Sequence, residues 1–185
     1  MLPPLHLARF GFLTARELLR SLVGEGASVG RRGSNTPWWS EPASSFFKKK
    51  SYCFVKQYKD YSMLEMNPFE SVNENLLDNA ALQVAHKVYW KTVMSKAPPL
   101  QPLSLIEWKQ GEYALPSGKL FFYAYASNMC GRLSSRADYD LRMRGPFAPI
   151  EMRVNVPLMN MRAFTDAFEC ERDARMNPDR KCIIL

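Results

Sequence analysis

From Glu74 to about Met94 the chain places apolar Leu77, Ala81, Val84, Ala85 and Val88 at three- and four-residue steps, the period of a helix that buries one face. That run commits the middle of the chain to a helix. Phe12–Leu22 has the same spacing, with Leu13, Leu18, Leu19 and Leu22 interleaved by Arg16, Glu17 and Arg20. Gly24, Gly26, Gly30 and Gly33 then break regular structure, and residues 23–37 read as a loop. Ser40-Glu41-Pro42 supplies a capping residue followed by an early proline, a helix start that Phe46, Phe47, Cys53, Phe54 and Tyr58 continue. Residues 60–72 read as a loop, and Pro98, Pro99 and Pro102 end the helix that begins at Glu74. Ser117 opens a further helix through LFFYAYASNMC, which Gly131 terminates. Gly145, Pro146, Pro149 and Pro157 mark residues 132–157 as irregular, and a short helix at about Met161–Phe168 precedes a polar tail. The class is mainly α.

With 185 residues the chain fits one domain, or a large piece of one. Apolar residues at 46% and charged residues at 23% exclude wholesale disorder. The longest apolar stretches, around Leu5–Leu13 and Leu120–Ala126, fall short of the ~20 residues of a membrane span, so no transmembrane segment is expected. The only histidines, His6 and His86, are far apart, which excludes a His-rich metal site, and His86 is expected to be a packing or surface residue. Cys53, Cys130, Cys170 and Cys182 form no C-x-x-C pair, which removes the usual zinc knuckles. The net charge of +7 is uneven: residues 1–60 hold ten Lys+Arg against four Asp+Glu. A solvated basic face accounts for it, including Lys48-Lys49-Lys50; nucleic acid, membrane surface or a mitochondrial presequence are the other readings of a basic end. The opening LHLARFGFL is broken by Arg9 and lacks a small-residue cleavage pattern, so no secretory signal is expected. The final Cys182-Ile183-Ile184-Leu185 fits a prenylation signal, with a disulfide at the chain end as the competing use of Cys182.

The C-terminal stretch RVNVPLMNMRAFTDAFECERDARMNPDRKCIIL resembles the end of the neprilysin and endothelin-converting-enzyme family of zinc metallopeptidases. The matching residues include Arg153, Val154, Pro157, Leu158, Asn160, Phe164, Ala167, Phe168, Cys170, Met176, Asn177, Pro178 and Cys182. Upstream, Glu74-Asn75-Leu76-Leu77-Asp78-Asn79 is similar to the family's E-N-x-x-D-N helix, where the first Glu ligates zinc and the Asp orients a zinc-bound histidine. The two acids lie four apart on one helix face, the spacing that lets a ligand and its supporting partner address one site. Trp38-Trp39, expected to pack rather than to stack on a ligand, then Phe47, Cys53 and Gln57-Tyr58 resemble the run that follows the family's catalytic helix. The resemblance implies a truncated, thermolysin-like (gluzincin) C-terminal catalytic subdomain over residues 12–185, with residues 1–11 as an N-terminal extension. It corresponds to the C-terminal quarter of a full-length member.

The departure falls on the metal. The family's H-E-x-x-H begins twenty-two residues before the Trp pair, and counting back from Trp38 reaches Arg16-Glu17-Leu18-Leu19-Arg20. The general-base glutamate is present as Glu17, but both ligand histidines are arginines, which stay protonated and offer no lone pair. Glu74 alone remains of the three protein ligands, and Asp78 becomes vestigial with it. The residue aligned with the family's oxyanion-steadying histidine is Phe147, which has no donor. Arg153 matches an arginine that in relatives holds the site together and contacts bound ligand. Unpaired, Glu74 and Asp78 would be costly anions in a partly buried cleft. At least one of Arg16 and Arg20, one turn apart, is expected to salt-bridge Glu74 or Asp78 in place of the dication; arginines turned to solvent are the alternative.

By the same resemblance Cys53 bonds Cys182, while Cys130 and Cys170 are left free or pair with each other. The expected protein is an inactive pseudopeptidase that holds no cofactor, where the family holds zinc. Its expected partner is a peptide or another chain, with no nucleic acid. An active zinc endopeptidase acting on small extracellular peptides, and a truncated product without function, are the alternatives. The resemblance implies an extracellular or cell-surface location.

Overall fold

The computed structural model describes residues 3–61, 67, 69–93, 107–110, 113–131 and 146–184, with the backbone alone over 107–110 and 113–117. Helix α1 (Pro3–His6), a π-helical turn (Leu7–Gly11) and α2 (Phe12–Leu19) follow one another with helical backbone at every junction, and a 3₁₀ turn (Arg20–Leu22) ends the run. Residues 3–11, set apart above as an extension, are therefore helical, and Ala8 is fully buried in the core. The chain leaves this arm through Gly24, whose φ of +59° favours glycine, into a second 3₁₀ turn (Gly24–Ser28). A side chain at Gly26 would overlap the carbonyl oxygen of Arg20, so glycine is needed where the loop folds back on the arm.

Helix α3 (Glu41–Tyr61) and α4 (Val72–Val93) follow, close to the spans expected from their periodicity. Strands β1 (Glu107–Gln110) and β2 (Tyr113–Pro116) form an antiparallel hairpin, Glu107 opposite Pro116 and Gln110 opposite Tyr113. No strand was expected there. Short hairpins carry little periodicity of their own and depend on what they pack against. Helix α5 (Ser117–Asn128) starts where Ser117 predicted it. The prolines at 98, 99 and 102, and residues 132–145 of the segment expected to be irregular, lie outside the described residues.

The other difference is α6 (Ile150–Met159), a helix where Pro149 and Pro157 suggested irregular chain; α7 (Arg162–Ala167) follows it. Pro149 lies just before the helix with extended backbone, where its missing N–H costs nothing. Pro157 sits inside α6 and cannot donate to the carbonyl of Arg153, one turn back. The hydroxyl of Tyr125 on α5 donates to that carbonyl at 2.7 Å instead. A contact from another helix thus makes an internal proline tolerable.

Helix α4 is the hub. Residues 75–82 are buried on every side, through Leu76, Leu77, Ala80, Ala81 and Leu82 but also Asn75, Asp78 and Asn79. One face of α4 packs with Phe12, Phe121, Phe122 and Tyr125, and another with Phe54, Tyr58, Met152 and Val156. Each fully buried aromatic or large aliphatic side chain contributes about 1.5–3 kcal/mol. His86 belongs to the first cluster, stacked on Phe122 at 5.4 Å and edge-on to Phe121 at 5.1 Å. Cys53 and Cys182 form a disulfide, Cα atoms 5.8 Å apart, that ties α3 to the C-terminal tail. Lys181 Nζ donates to the Met159 carbonyl at 2.7 Å, and the Cys182 N–H to Asn160 Oδ1 at 2.9 Å. The tail is thereby sewn onto the end of α6, and the Cys182 sulfur is not available for a prenyl group. Cys130 and Cys170 are free.

Candidate functional site

Arg16 on α2 and Arg20 in the next turn face the first turns of α4, where Glu74 and Asp78 sit one turn apart. Arg16 divides its fork three ways: Nε donates to Asp78 Oδ1 at 2.7 Å, Nη1 to Glu17 Oε1 at 3.1 Å, and Nη2 to Glu74 Oε2. Arg20 donates Nη1 to Glu74 Oε1 at 2.9 Å, and Nε and Nη2 to the two oxygens of Glu17 at 2.9 and 3.1 Å. Arg153 on α6 closes the cluster from the other side, Nε to Asp78 Oδ2 at 2.7 Å and Nη2 to Asp78 Oδ1 at 3.1 Å. Three guanidiniums and three carboxylates therefore balance. Every residue marked at this site from the sequence lies in one network.

Burial grades the cluster. The Asp78 side chain is 0% exposed and that of Arg16 7%, while those of Arg20 and Glu17 are 44% and 62% exposed. Burial works against the charge of Arg16, but the attraction and hydrogen bonds of Asp78 and Glu74 outweigh it and raise its pKa further. Burial likewise opposes ionisation of Glu74, and Arg20 and Arg16 together hold its pKa below the ordinary value. Glu17 is lowered chiefly by its hydrogen bond from Arg20. Charge-assisted bonds of this kind are the strong ones, and the fork geometry of arginine is what lets one cation serve three anions.

Phe147 was marked only for lacking a donor. Its ring lies beneath two cations, 4.8 Å from the Arg153 guanidinium carbon and 5.7 Å from that of Arg16. A second network went unmarked: Asn160 Nδ2 donates to Gln57 Oε1 at 2.8 Å and to Asn79 Oδ1 at 2.9 Å, while Asn79 Nδ2 donates to the Tyr58 hydroxyl at 3.1 Å. All four residues lie in the matching motifs quoted above, but motifs do not reveal pairings. Full burial pushes the Tyr58 hydroxyl well above its usual pKa, so it stays neutral. Trp38 is half exposed and donates Nε1 to the Gly26 carbonyl at 3.2 Å; Trp39 packs edge-on against Phe47 at 5.1 Å.

A zinc ion does not fit this donor set. Two of the facing groups are cations without lone pairs, and both Glu74 oxygens already accept from them. Among the described residues, no group of three His, Cys, Asp or Glu is placed to hold a metal ion.

The sequence profile described as Peptidase family M13 matches residues 4–184, and the chain belongs to that family of zinc metallopeptidases. It is 27% identical to Neprilysin-3 of Drosophila melanogaster over 180 residues, 96% of this chain and 22% of that protein. It is 27% identical to mouse endothelin-converting enzyme 1, again over 96% of this chain and 22% of that protein. Its fold matches the solved structure of the zinc metalloprotease ZMP1 of Mycobacterium tuberculosis with a TM-score of 0.77 at 21% identity, covering 98% of this chain and 28% of that one. The chain thus spans less than a quarter of the length of these curated relatives.

Proposed function

We propose that this chain is a catalytically inactive member of the peptidase family, and that it acts by binding a peptide or a partner chain without cleaving it. The observation that supports this is the pairing of Arg16 and Arg20 with Glu74, with Arg16 also on Asp78, where relatives carry metal-binding histidines. Without a bound dication, an attacking water keeps a pKa of about 15.7 rather than about 7. Glu17 does not compensate: ion-paired and lowered in pKa, it is a poorer base than a free carboxylate. The balanced cluster also has no surplus charge with which to hold a peptide carboxylate.

Retention of Glu17 is the one feature that favours an active endopeptidase. Zinc analysis of the purified chain, with a chelator-controlled assay on a fluorogenic peptide, tests both readings. No zinc and no chelator-sensitive cleavage are expected; stoichiometric zinc with cleavage overturns the inactive reading. The Cys53–Cys182 disulfide supports an oxidising, extracellular or cell-surface setting. No described helix is long and apolar enough to cross a membrane.

A further inference from the structure

Against α3 and α4, and lined by none of the ion-paired residues of the arginine cluster, lies a groove of about 520 Å³, bordered by a smaller hollow of about 140 Å³. Leu22, Trp39, Phe47 and Leu76 line both. The rim is apolar and exposed: Phe46 is 61%, Tyr52 64% and Phe69 65% accessible. Isolated exposed apolar residues are ordinary, but aromatics gathered around one concavity mark interaction surfaces. Among the described residues, the only charged side chains lining the two hollows are Lys50 in the smaller and Lys48 in the larger. Glu25, Glu70, Glu74 and Asp78, each next in sequence to a lining residue, and Glu41 line neither. Residues 24–61, which supply most of the larger groove's lining, hold seven Lys+Arg against three Asp+Glu. Among the described residues, the buried indole N–H of Trp39, a residue that lines both hollows, has no acceptor. Buried donors are ordinarily paired.

We propose that this groove docks an extended acidic segment of another polypeptide, its bulky apolar side chains in the hollows and its carboxylates against Lys48 and Lys50. The proposal rests on the binding reading above and puts the contact surface on residues other than those of the arginine cluster. Apolar anchors inside and complementary charge at the edge are the usual division of work in such interfaces. The charge pattern argues against a second copy of the chain, whose +7 net charge would repel across the contact.

The test uses the full chain and a fluorescein-labelled, capped peptide alternating phenylalanine with glutamate, followed by anisotropy. The same peptide with lysine in place of glutamate is the control. Saturable binding of the acidic peptide alone is expected, weakened about tenfold or more by Lys48→Glu with Lys50→Glu, both exposed and outside the core. Tyr52→Ala should weaken it as well, while Arg20→Ala in the arginine cluster should not. Equal binding of both peptides, or binding indifferent to the lysine reversals, overturns the proposal. So does a homodimer by sedimentation that Lys48→Glu dissociates, since the groove would then be covered by a second copy. Cleavage of the peptide would sink the inactive reading, and the effect of the lysine reversals on its binding would still decide the groove.

Discussion

Arg16 donates its Nε–H to Asp78 at 2.7 Å, at a point where the carboxylate is completely shut off from solvent. Arg153 reaches the same carboxylate from α6. Asp78 is thus the anion on which α2, α4 and α6 converge. A buried charge is tolerable only while paired, so the cost of the cluster shows when one member is removed.

Asp78→Ala would leave Arg16 and Arg153 facing an empty space with much of their charge desolvated. Urea unfolding should show a loss of about 3–5 kcal/mol. Arg20→Ala, removing a side chain that is 44% exposed and leaving Glu74 paired with Arg16, should cost at most about 1 kcal/mol. Similar losses at the two positions would mean that the buried pairs do not hold the helices together.

His86 and the carboxylates respond to pH in different windows. Burial among aromatic rings depresses His86 from 6.5 to about 4, so the unfolded chain takes up a proton that the folded one refuses. Stability should fall as pH drops from about 6.5 toward 4, by up to about 3 kcal/mol. The depressed pKa of Glu74 contributes stability present above its ordinary value of 4.5 and lost as pH falls below it. Thermal melts of His86→Leu should be flat between pH 6.5 and 5, where the parent declines; parallel curves would show that His86 titrates normally.

Much of the arrangement was legible because it is local. The periods of α2, α3 and α4 locate those helices, and the four-residue step from Glu74 to Asp78 aims both acids at one place. Helix α6 was hidden because its proline is compensated by Tyr125, a residue thirty-two positions earlier in the chain on another helix. The position of Phe147 under two guanidiniums has the same origin. Its lack of a donor is a property of the residue, but its neighbours are a property of the fold.

The disulfide should be a large part of stability. Its ends are 129 residues apart, for which the chain-entropy account gives about 5 kcal/mol, with measured values commonly 2–5. Cys53→Ser with Cys182→Ser should lower the melting temperature, and the parent should show the same shift on reduction. Mass spectrometry of the C-terminal peptide should find Cys182 linked to Cys53; a prenyl adduct would contradict the tail geometry.

Arg16→His with Arg20→His would put two imidazoles opposite Glu74, giving a donor set of the kind zinc takes. The double variant should bind about one equivalent of zinc and gain thermal stability in its presence, worth about 2.7 kcal/mol at a hundredfold excess over Kd. Failure to bind metal while still folded would mean that α2 and α4 are not spaced for a metal centre.

Isothermal titration of the unaltered, folded chain with zinc is the most direct test of whether arginine has replaced the metal here. Arg16 and Arg20 engaged with Glu74 predict no stoichiometric uptake, with or without prior chelator treatment. Uptake of one equivalent, abolished by Glu74→Gln, would contradict it.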